Sequence, residues 1–490
     1  MRESQRRLDT HINRGVAWTA ASQTIVAVAD LISQLICIGW MGEAAYGIAM
    51  MAVPLYSILD AVSDLGGTSA LIAHDDHTPE RISSLFWFNV LLSTGLFLLL
   101  LVGGPLYGLF QAHSVVGLLL IAYGGKLLIQ NLYAIPLALL RKELHFEEVA
   151  KIRTVAYLAE SVTRVVLVAS GITIWAFTLA ALAKHVMFAL IFLWRHPYKP
   201  KLVFHYRDIA HYVSYGLRSG VSQVLYYTYT NVDYVVVGHY FGDVANGIYS
   251  LAYWIVLEAV KTIANVVIDV ALPTFARLRN DPPALVAQFI RLTRLNMIAV
   301  LPFVVLILLI VPEFLTLVYG GKWSAPQLGV CADAARILCI VGLLRALGFI
   351  GPPLLDGIGR PELTLRYMVV ATVAVCGCFI LGANLLGARL GLLSVAVAWA
   401  VGYPIAFALL LWIISKTVDL PVAQYGKDAL GILGCAAIGL MLGLAADLLT
   451  HGAHDGLRIA AISAAALVGT FGALAIWQHV TPRSIIASMR

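Results

Sequence analysis

Residues 40–48 read Trp40-Met41-Gly42-Glu43-Ala44-Ala45-Tyr46-Gly47-Ile48, and residues 240–248 read Tyr240-Phe241-Gly242-Asp243-Val244-Ala245-Asn246-Gly247-Ile248. Glycine, acid, alanine, glycine and isoleucine recur in register. The likeness runs outward in both directions. Ser22-Gln23 matches Ser222-Gln223, and Leu59-Asp60-Ala61-Val62 resembles Leu257-Glu258-Ala259-Val260 after a slip of two residues. Apolar composition alone would not reproduce a Gly-acid-x-Ala-x-Gly-Ile pattern. The sequence therefore carries one half of a structure twice. In a polytopic chain such duplication points to a transporter, in which two similar bundles expose a central site to each side in turn.

The composition sets the solvent. Of the 490 residues, 60% are hydrophobic and 12% charged, with a mean hydropathy of +0.86, which excludes an ordinary soluble domain. Apolar windows long enough to cross a bilayer recur near 15–40, 46–73, 83–105, 115–139, 148–170, 172–194, 212–238, 245–274, 295–318, 327–354, 364–386, 390–414, 428–449 and 457–479. Lipid offers backbone groups no partners, so these spans are helices. The expected fold is an all-α polytopic membrane protein of about 14 transmembrane helices. Two pseudo-symmetric six-helix lobes, 1–197 and 198–416, precede two accessory helices in 417–490. The apolar stretch after Arg14 is too long for the core of a cleaved signal peptide and reads as the first span.

Basic residues test the topology. With the N-terminus inside, only Lys322, Arg389 and Arg458 lie on the outer side, and seven of the 33 basic residues lie within spans. The remaining 23 lie on the inner side. That asymmetry predicts an N-in, C-in protein of the bacterial inner membrane, and it accounts for the +6 net charge without a nucleic-acid partner.

The charges inside the spans are the functional candidates. Spacing sorts the seven bases. Glu160 with Arg164, Glu258 with Lys261 and Asp333 with Arg336 stand three or four residues apart, where helical neighbours can neutralise one another. Lys126, Lys184, Arg218 and Arg345 have no such neighbour. They need a partner on another helix, water or a bound anion; Lys184 can also snorkel at a lipid-facing position. Arginine suits phosphate because its fork reaches two oxygens. The candidate diphosphate ligands are Arg218, Arg345, Lys126, Arg164 and Lys261, the last two alternatively serving only as internal ion pairs. Among the acids, Asp30, Asp60 and Asp233 are candidates for coupling to H⁺ or Na⁺. The alternative is that they neutralise bases across helices. The 212–238 span is unusually polar, and Gln223, Tyr226, Tyr227 and Asn231 are candidate sugar contacts, or else interhelical hydrogen-bonding groups.

Other motifs carry less. His74-Asp75-Asp76-His77 has metal-binding residue types but sits in a short loop and reads as a solvated turn, so no metal site or bound cofactor is expected. The six cysteines show no zinc spacing. There is no Walker A motif for ATP. Pro54 and Pro302 fall inside spans and are expected kink points. Residues 202–212 are expected to form an interfacial helix beside the lobe junction.

Further stretches join the first repeat in one resemblance. They are Ser63-Asp64-Leu65-Gly66, Ser83-Ser84-Leu85-Phe86-Trp87-Phe88-Asn89, Leu272-Pro273-Thr274-Phe275-Ala276-Arg277-Leu278, Tyr319-Gly320-Gly321-Lys322-Trp323 and Leu355-Asp356-Gly357-Ile358-Gly359-Arg360-Pro361. Together they resemble the polysaccharide transporter family, the Wzx-type oligosaccharide flippases of the multidrug/oligosaccharidyl-lipid/polysaccharide exporter superfamily. The resemblance covers roughly residues 12–416. It implies paired six-helix lobes working by alternating access in the lipid bilayer, a polyprenyl-diphosphate-linked oligosaccharide as cargo, a monomer, and a polysaccharide polymerase as a downstream partner. Two other readings stay open: a drug/cation antiporter of the same superfamily, and a membrane glycan polymerase or ligase. The unpaired bases disfavour the first. The short outer loops and the duplication disfavour an enzyme.

Overall fold

The computed structural model describes residues 2–63, 71, 78–143, 145–452 and 454–478; the side chains of 2–17, 20, 215, 216, 218, 219 and 455 fall outside the described set. The first repeat opens on α1 (Arg2–Trp40), and Gly42 then caps a new helix, α2 (Glu43–Met51). Pro54 cannot continue the ladder of α2, so the chain turns at Ala52 and restarts as α3 (Val53–Ser63). Then follow α4 (Pro79–Phe110), α5 (Ser114–Lys142), α6 (Phe146–Ala169), α7 (Ala176–Arg195) and the long α8 (Tyr206–Tyr253).

Helix α8 contains the second repeat and breaks where the first one does. Gly242 stands at φ 85°, a left-handed conformation that glycine adopts without penalty. After a π-helical turn, Trp254–Glu258, come α9 (Ala259–Leu278), α10 (Pro282–Tyr319), α11 (Ala325–Gly348), α12 (Gly351–Gly357), α13 (Pro361–Leu390), α14 (Leu393–Val418), α15 (Val422–Leu449) and α16 (Asp455–Trp477). Pro302 lies inside α10 without ending it.

Eleven segments among the described residues are long and apolar enough to cross a membrane. Three more helices, α6, α8 and α9, match expected spans but are too polar to pass on composition. They carry Glu160 and Arg164, the tyrosine-rich stretch, and Lys261. The all-α polytopic architecture is as expected. The helix expected over 202–212 is present only from Tyr206, as the start of α8; residues 197–205 are not helical.

The chain packs as two compact units, Met1–Gly247 and Ile248–Arg490. In the first, α1 lies along α6, α6 along α7, α4 along α5 and α5 along α7. Ser22 donates to the Ala150 carbonyl at 3.0 Å and meets Thr154 at 2.7 Å, fixing α1 on α6. In the second unit, α13 packs on α14 and α11 on α14, while α15 and α16 form a hairpin against α10. Met297, Leu301, Val305 and Leu309 of α10 meet Ile432, Cys435, Ile462 and Ala466 there in one apolar cluster. Arg458 joins the same helices, reaching Glu313 at 3.2 Å and Asp447 at 2.6 Å.

Within the first unit the two repeat motifs meet each other. A methyl group on Gly47 would lie 1.8 Å from the Asp243 carbonyl oxygen, and one on Gly247 would lie 2.0 Å from the Glu43 carbonyl oxygen. Asn246 donates its side-chain amide to the Gly47 carbonyl at 2.9 Å, which fixes the crossing. Only a hydrogen fits at either glycine, because the neighbouring atoms are backbone and cannot give way. Gly247→Ala is therefore expected to cost about 1–3 kcal/mol or more through overpacking. Gly434 of α15 has open space for 4 Å around the position a methyl group would take, so Gly434→Ala should leave the unfolding temperature in detergent unchanged or higher. Equal unfolding temperatures for the two variants would contradict the close approach.

Candidate functional site

The apolar helices of the first unit enclose three carboxylates and three cations. Asp30 comes from α1, Asp60 from α3, Lys126 from α5, Glu160 and Arg164 from α6, and Lys184 from α7. Lys126 is 2% exposed, and its ammonium donates to both the Asp60 carboxylate and the Tyr56 hydroxyl. It also lies 4.0 Å from the centre of the Tyr56 ring, which stacks on Tyr123 at 4.2 Å. These two tyrosines share helices with the ion pair, Tyr56 one turn before Asp60 and Tyr123 one turn before Lys126. The α3–α5 contact is thus an ionic pair backed by an aromatic pair.

Arg164 holds the second part together. It donates to Asp30 at 2.8 Å and to Ser33 at 3.1 Å, and stands 3.7 Å from Glu160. Glu160 in turn accepts Lys184 at 2.8 Å. The alternation Asp30–Arg164–Glu160–Lys184 spans α1, α6 and α7, and each charge has an opposite neighbour. Phe177 lies under the Arg164 guanidinium at 5.0 Å and Tyr157 under Lys184 at 4.6 Å. Next to Lys184, the His185 imidazole meets the Tyr133 hydroxyl at 2.5 Å. Two carboxylates keep an opening: Asp30 is 44% and Asp60 31% exposed in the side chain. The Asp60 Oδ1 atom is buried with no hydrogen-bond partner among the described residues.

In the second unit a buried cation stands among aromatic rings. Arg345, on α11, is 2% exposed. Its guanidinium donates to the Tyr253 hydroxyl at 3.3 Å and lies 5.3 and 5.6 Å from the Phe349 and Trp399 rings. Arginine is weakly hydrated and planar, so aromatic faces can surround it where an ammonium would be poorly matched. Tyr253 immediately precedes the π-helical turn, a distortion often found at functional positions. Just beyond that turn Lys261 pairs with Glu258 at 3.0 Å.

The remaining candidates fall as follows. Arg218 lies on α8, and its side chain is outside the described residues, as are Asp64 and the whole of His74–His77. Asp233 is fully buried on α8, and its Oδ1 accepts the Tyr234 backbone N–H at 3.0 Å. On the same helix Gln223 is exposed and Tyr226 and Tyr227 are half-buried. Asn231 donates to the Tyr227 carbonyl at 2.9 Å, and Thr228 and Thr230 bond back to Val224 and Tyr226. Much of this helix's polarity is therefore satisfied along its own backbone. The structure brings Asp30, Asp60, Lys126 and Arg164 into one unit with Glu160 and Lys184, and places Arg345 and Lys261 in the other. Spacing identified the Glu160–Arg164, Glu258–Lys261 and Asp333–Arg336 pairs, the last at 3.8 Å. It missed Glu160 as the partner of Lys184, and the aromatic support of Lys126 that Tyr123 three residues earlier foreshadows.

With this geometry in hand, comparisons place the chain. The family model described as "Polysaccharide biosynthesis protein" matches residues 41–326, more than half of the chain. The teichuronic acid biosynthesis protein TuaB of Bacillus subtilis (strain 168) is 26% identical over 455 residues, covering 88% of each chain. The lipopolysaccharide biosynthesis protein WzxC of Escherichia coli (strain K12) is 23% identical, covering 76% of this chain and 75% of its own. Among solved structures, lipid II flippase MurJ in an inward closed conformation superposes with a TM-score of 0.72 at 16% identity, over 96% of this chain and 99% of that one. The last comparison speaks to the fold.

The charge alternation makes a stability prediction. Removing one member of a buried pair strands the other and typically costs about 3–5 kcal/mol. Lys126→Met should lower the unfolding temperature in detergent, and adding Asp60→Asn to it should restore most of the loss. A double variant no more stable than Lys126→Met would show that the two side chains do not depend on each other.

Proposed function

This chain belongs to the polysaccharide biosynthesis protein family, and we propose that it is a flippase of the bacterial inner membrane. It carries a polyprenyl-diphosphate-linked oligosaccharide repeat unit from the cytoplasmic to the outer leaflet, for assembly of a surface polysaccharide. The moving parts are the duplicated lobes, 1–197 and 198–416, with 417–490 as accessory helices and both termini inside. The observation that carries this reading beyond the family is the set of cations held within apolar helices. A diphosphate can cross hydrocarbon only if fixed positive charge replaces its water.

The roles follow from what each cation already touches. Lys126 and Arg164 are held by carboxylates, so a diphosphate reaching them competes with Asp60 or Asp30. Protonating that carboxylate, or giving it Na⁺, releases the cation to the cargo. Asp60 has a buried oxygen, Oδ1, with no hydrogen-bond partner among the described residues, so it is the carboxylate at which we place the exchange. Arg218, Arg345 and Lys261 supply further positive charge, and Asp233 is a third carboxylate for coupling. Gln223, Tyr226, Tyr227 and Asn231 offer amide and phenol groups to sugars, with the polyprenyl chain left in lipid. An inside-negative potential favours outward movement of the anion by about 2.3 kcal/mol per charge per 100 mV. The product is a substrate for a polymerase on the outer face, and the chain itself works as a monomer.

Two outcomes are expected. In a strain lacking this chain, polyprenyl-diphosphate oligosaccharide should accumulate on the cytoplasmic face while surface glycan disappears; an unchanged lipid pool would overturn the reading. Restoring the strain with Arg218→Ala plus Arg345→Ala should leave export absent although folded protein is present. Normal export from that variant would remove both residues from the diphosphate site.

A further inference from the structure

The linker between α7 and α8 is an ordered strap with an unusual surface. Residues 197–205 have no helix of their own, yet α4 binds them at several points. Ser83 accepts the Lys201 backbone N–H at 3.1 Å, and Trp87 donates its indole N–H to the Lys201 carbonyl at 2.9 Å. Ser84 accepts the His205 N–H at 3.0 Å. The Tyr198 hydroxyl meets Ser83 at 3.3 Å, and the Lys201 ammonium pairs with Glu80. The α4 side chains thus take the place that a neighbouring strand would hold beside an extended segment.

At the centre of the strap the Val203 N–H returns to the Lys201 carbonyl at 2.8 Å. This three-residue turn has Leu202 at its apex. Leu202 is 89% exposed, Trp194 before the strap is 78% exposed, and Phe204 and Tyr206 are exposed as well. Exposed leucines on the spans have acyl chains to face, but Leu202 lies beyond the end of α7 and outside every membrane-length segment. Bases surround it. Lys201 and Arg195 have Glu80 and Glu148 as partners, whereas Lys199 and Arg207 form no ion pair among the described residues and are exposed.

We propose that this strap is a binding site for anionic phospholipid headgroups. Leu202, Phe204 and Trp194 enter the headgroup–acyl boundary, and Lys199 and Arg207 meet lipid phosphate. Apolar side chains on an ordered turn between unpaired bases match an interface that is apolar on one side and negatively charged on the other. A soluble partner would have to match the same alternation, whereas a bilayer of anionic lipid supplies it beside the helix ends. The strap joins the two repeats, so its hold on the membrane makes lipid charge a regulator of this chain. The proposal is independent of the cargo.

The test places a nitroxide at Leu202→Cys, in a chain whose half-buried Cys376 and Cys378 are replaced by serine. The purified full chain is reconstituted in phosphatidylcholine, or in equal parts phosphatidylcholine and phosphatidylglycerol. Collision with oxygen and with a water-soluble nickel chelate then reports depth. In the mixed bilayer the label should lose nickel contact and gain oxygen contact. Lys199→Gln plus Arg207→Gln should reverse this, since each basic group near an anionic surface contributes roughly fivefold in binding. A label equally open to nickel in both bilayers would overturn the proposal and assign the surface to a soluble partner. Equal burial in both bilayers, unmoved by the double substitution, would overturn its anionic part. Phe204→Cys provides the same readout if the Leu202 variant does not fold.

Discussion

An ionised side chain inside hydrocarbon must meet an opposite charge, a dense set of hydrogen bonds or water, and this constraint organises the first unit. Lys184, Glu160, Arg164 and Asp30 alternate in sign across three helices, and Asp60 with Lys126 ties two more. The apolar surfaces of these helices have little preference for one another over lipid, since acyl chains are as apolar as leucine. Specific ionic contacts therefore decide which helices are neighbours and in what register. The second unit uses another device, wrapping Arg345 in Tyr253, Phe349 and Trp399.

In the flippase proposed above, such pairing is the means of releasing charge to a cargo. A cation already desolvated and held by a carboxylate needs little reorganisation to accept a phosphate oxygen instead. In the proposed mechanism the exchange runs through the carboxylate, which makes the ion pair the coupling element. Asp60 and Asp30 are the proposed groups because both side chains are partly exposed. The glycine crossing supplies a complementary feature. The two copies of the Gly-acid-x-Ala-x-Gly motif meet each other, Gly47 against Asp243 and Gly247 against Glu43. The residues that recur between the two stretches thus form a close backbone approach within the first unit.

The helices were readable because each long apolar window must become a helix in lipid, and even the more polar α6, α8 and α9 keep enough apolar residues to show as windows. Pairs along one helix, such as Glu258 with Lys261, were readable from spacing. Pairs between helices were not, since nothing in the local sequence says that Lys184 faces Glu160 or that Lys126 faces Asp60. The polarity of α8 also reads differently in three dimensions. Thr228, Thr230 and Asn231 look like a wet lining in sequence, yet they bond their own helix's carbonyls. Residues 202–212 read as an interfacial helix in sequence because they mix apolar with basic and aromatic side chains; the helix forms only from Tyr206, and the α4 serines and Trp87 hold the stretch before it extended.

The most direct test of the central claim is translocation by the purified chain alone. Polyprenyl-diphosphate oligosaccharide would be placed in sealed vesicles with the chain reconstituted, and its glycan probed from outside by a membrane-impermeant enzyme. Starting from lipid confined to the inner leaflet, the account predicts that the glycan becomes accessible in time with the wild-type chain, and that Asp60→Asn abolishes any dependence of the rate on an imposed pH gradient. Glycan that stays inaccessible in vesicles holding folded chain, with or without a gradient, would contradict it.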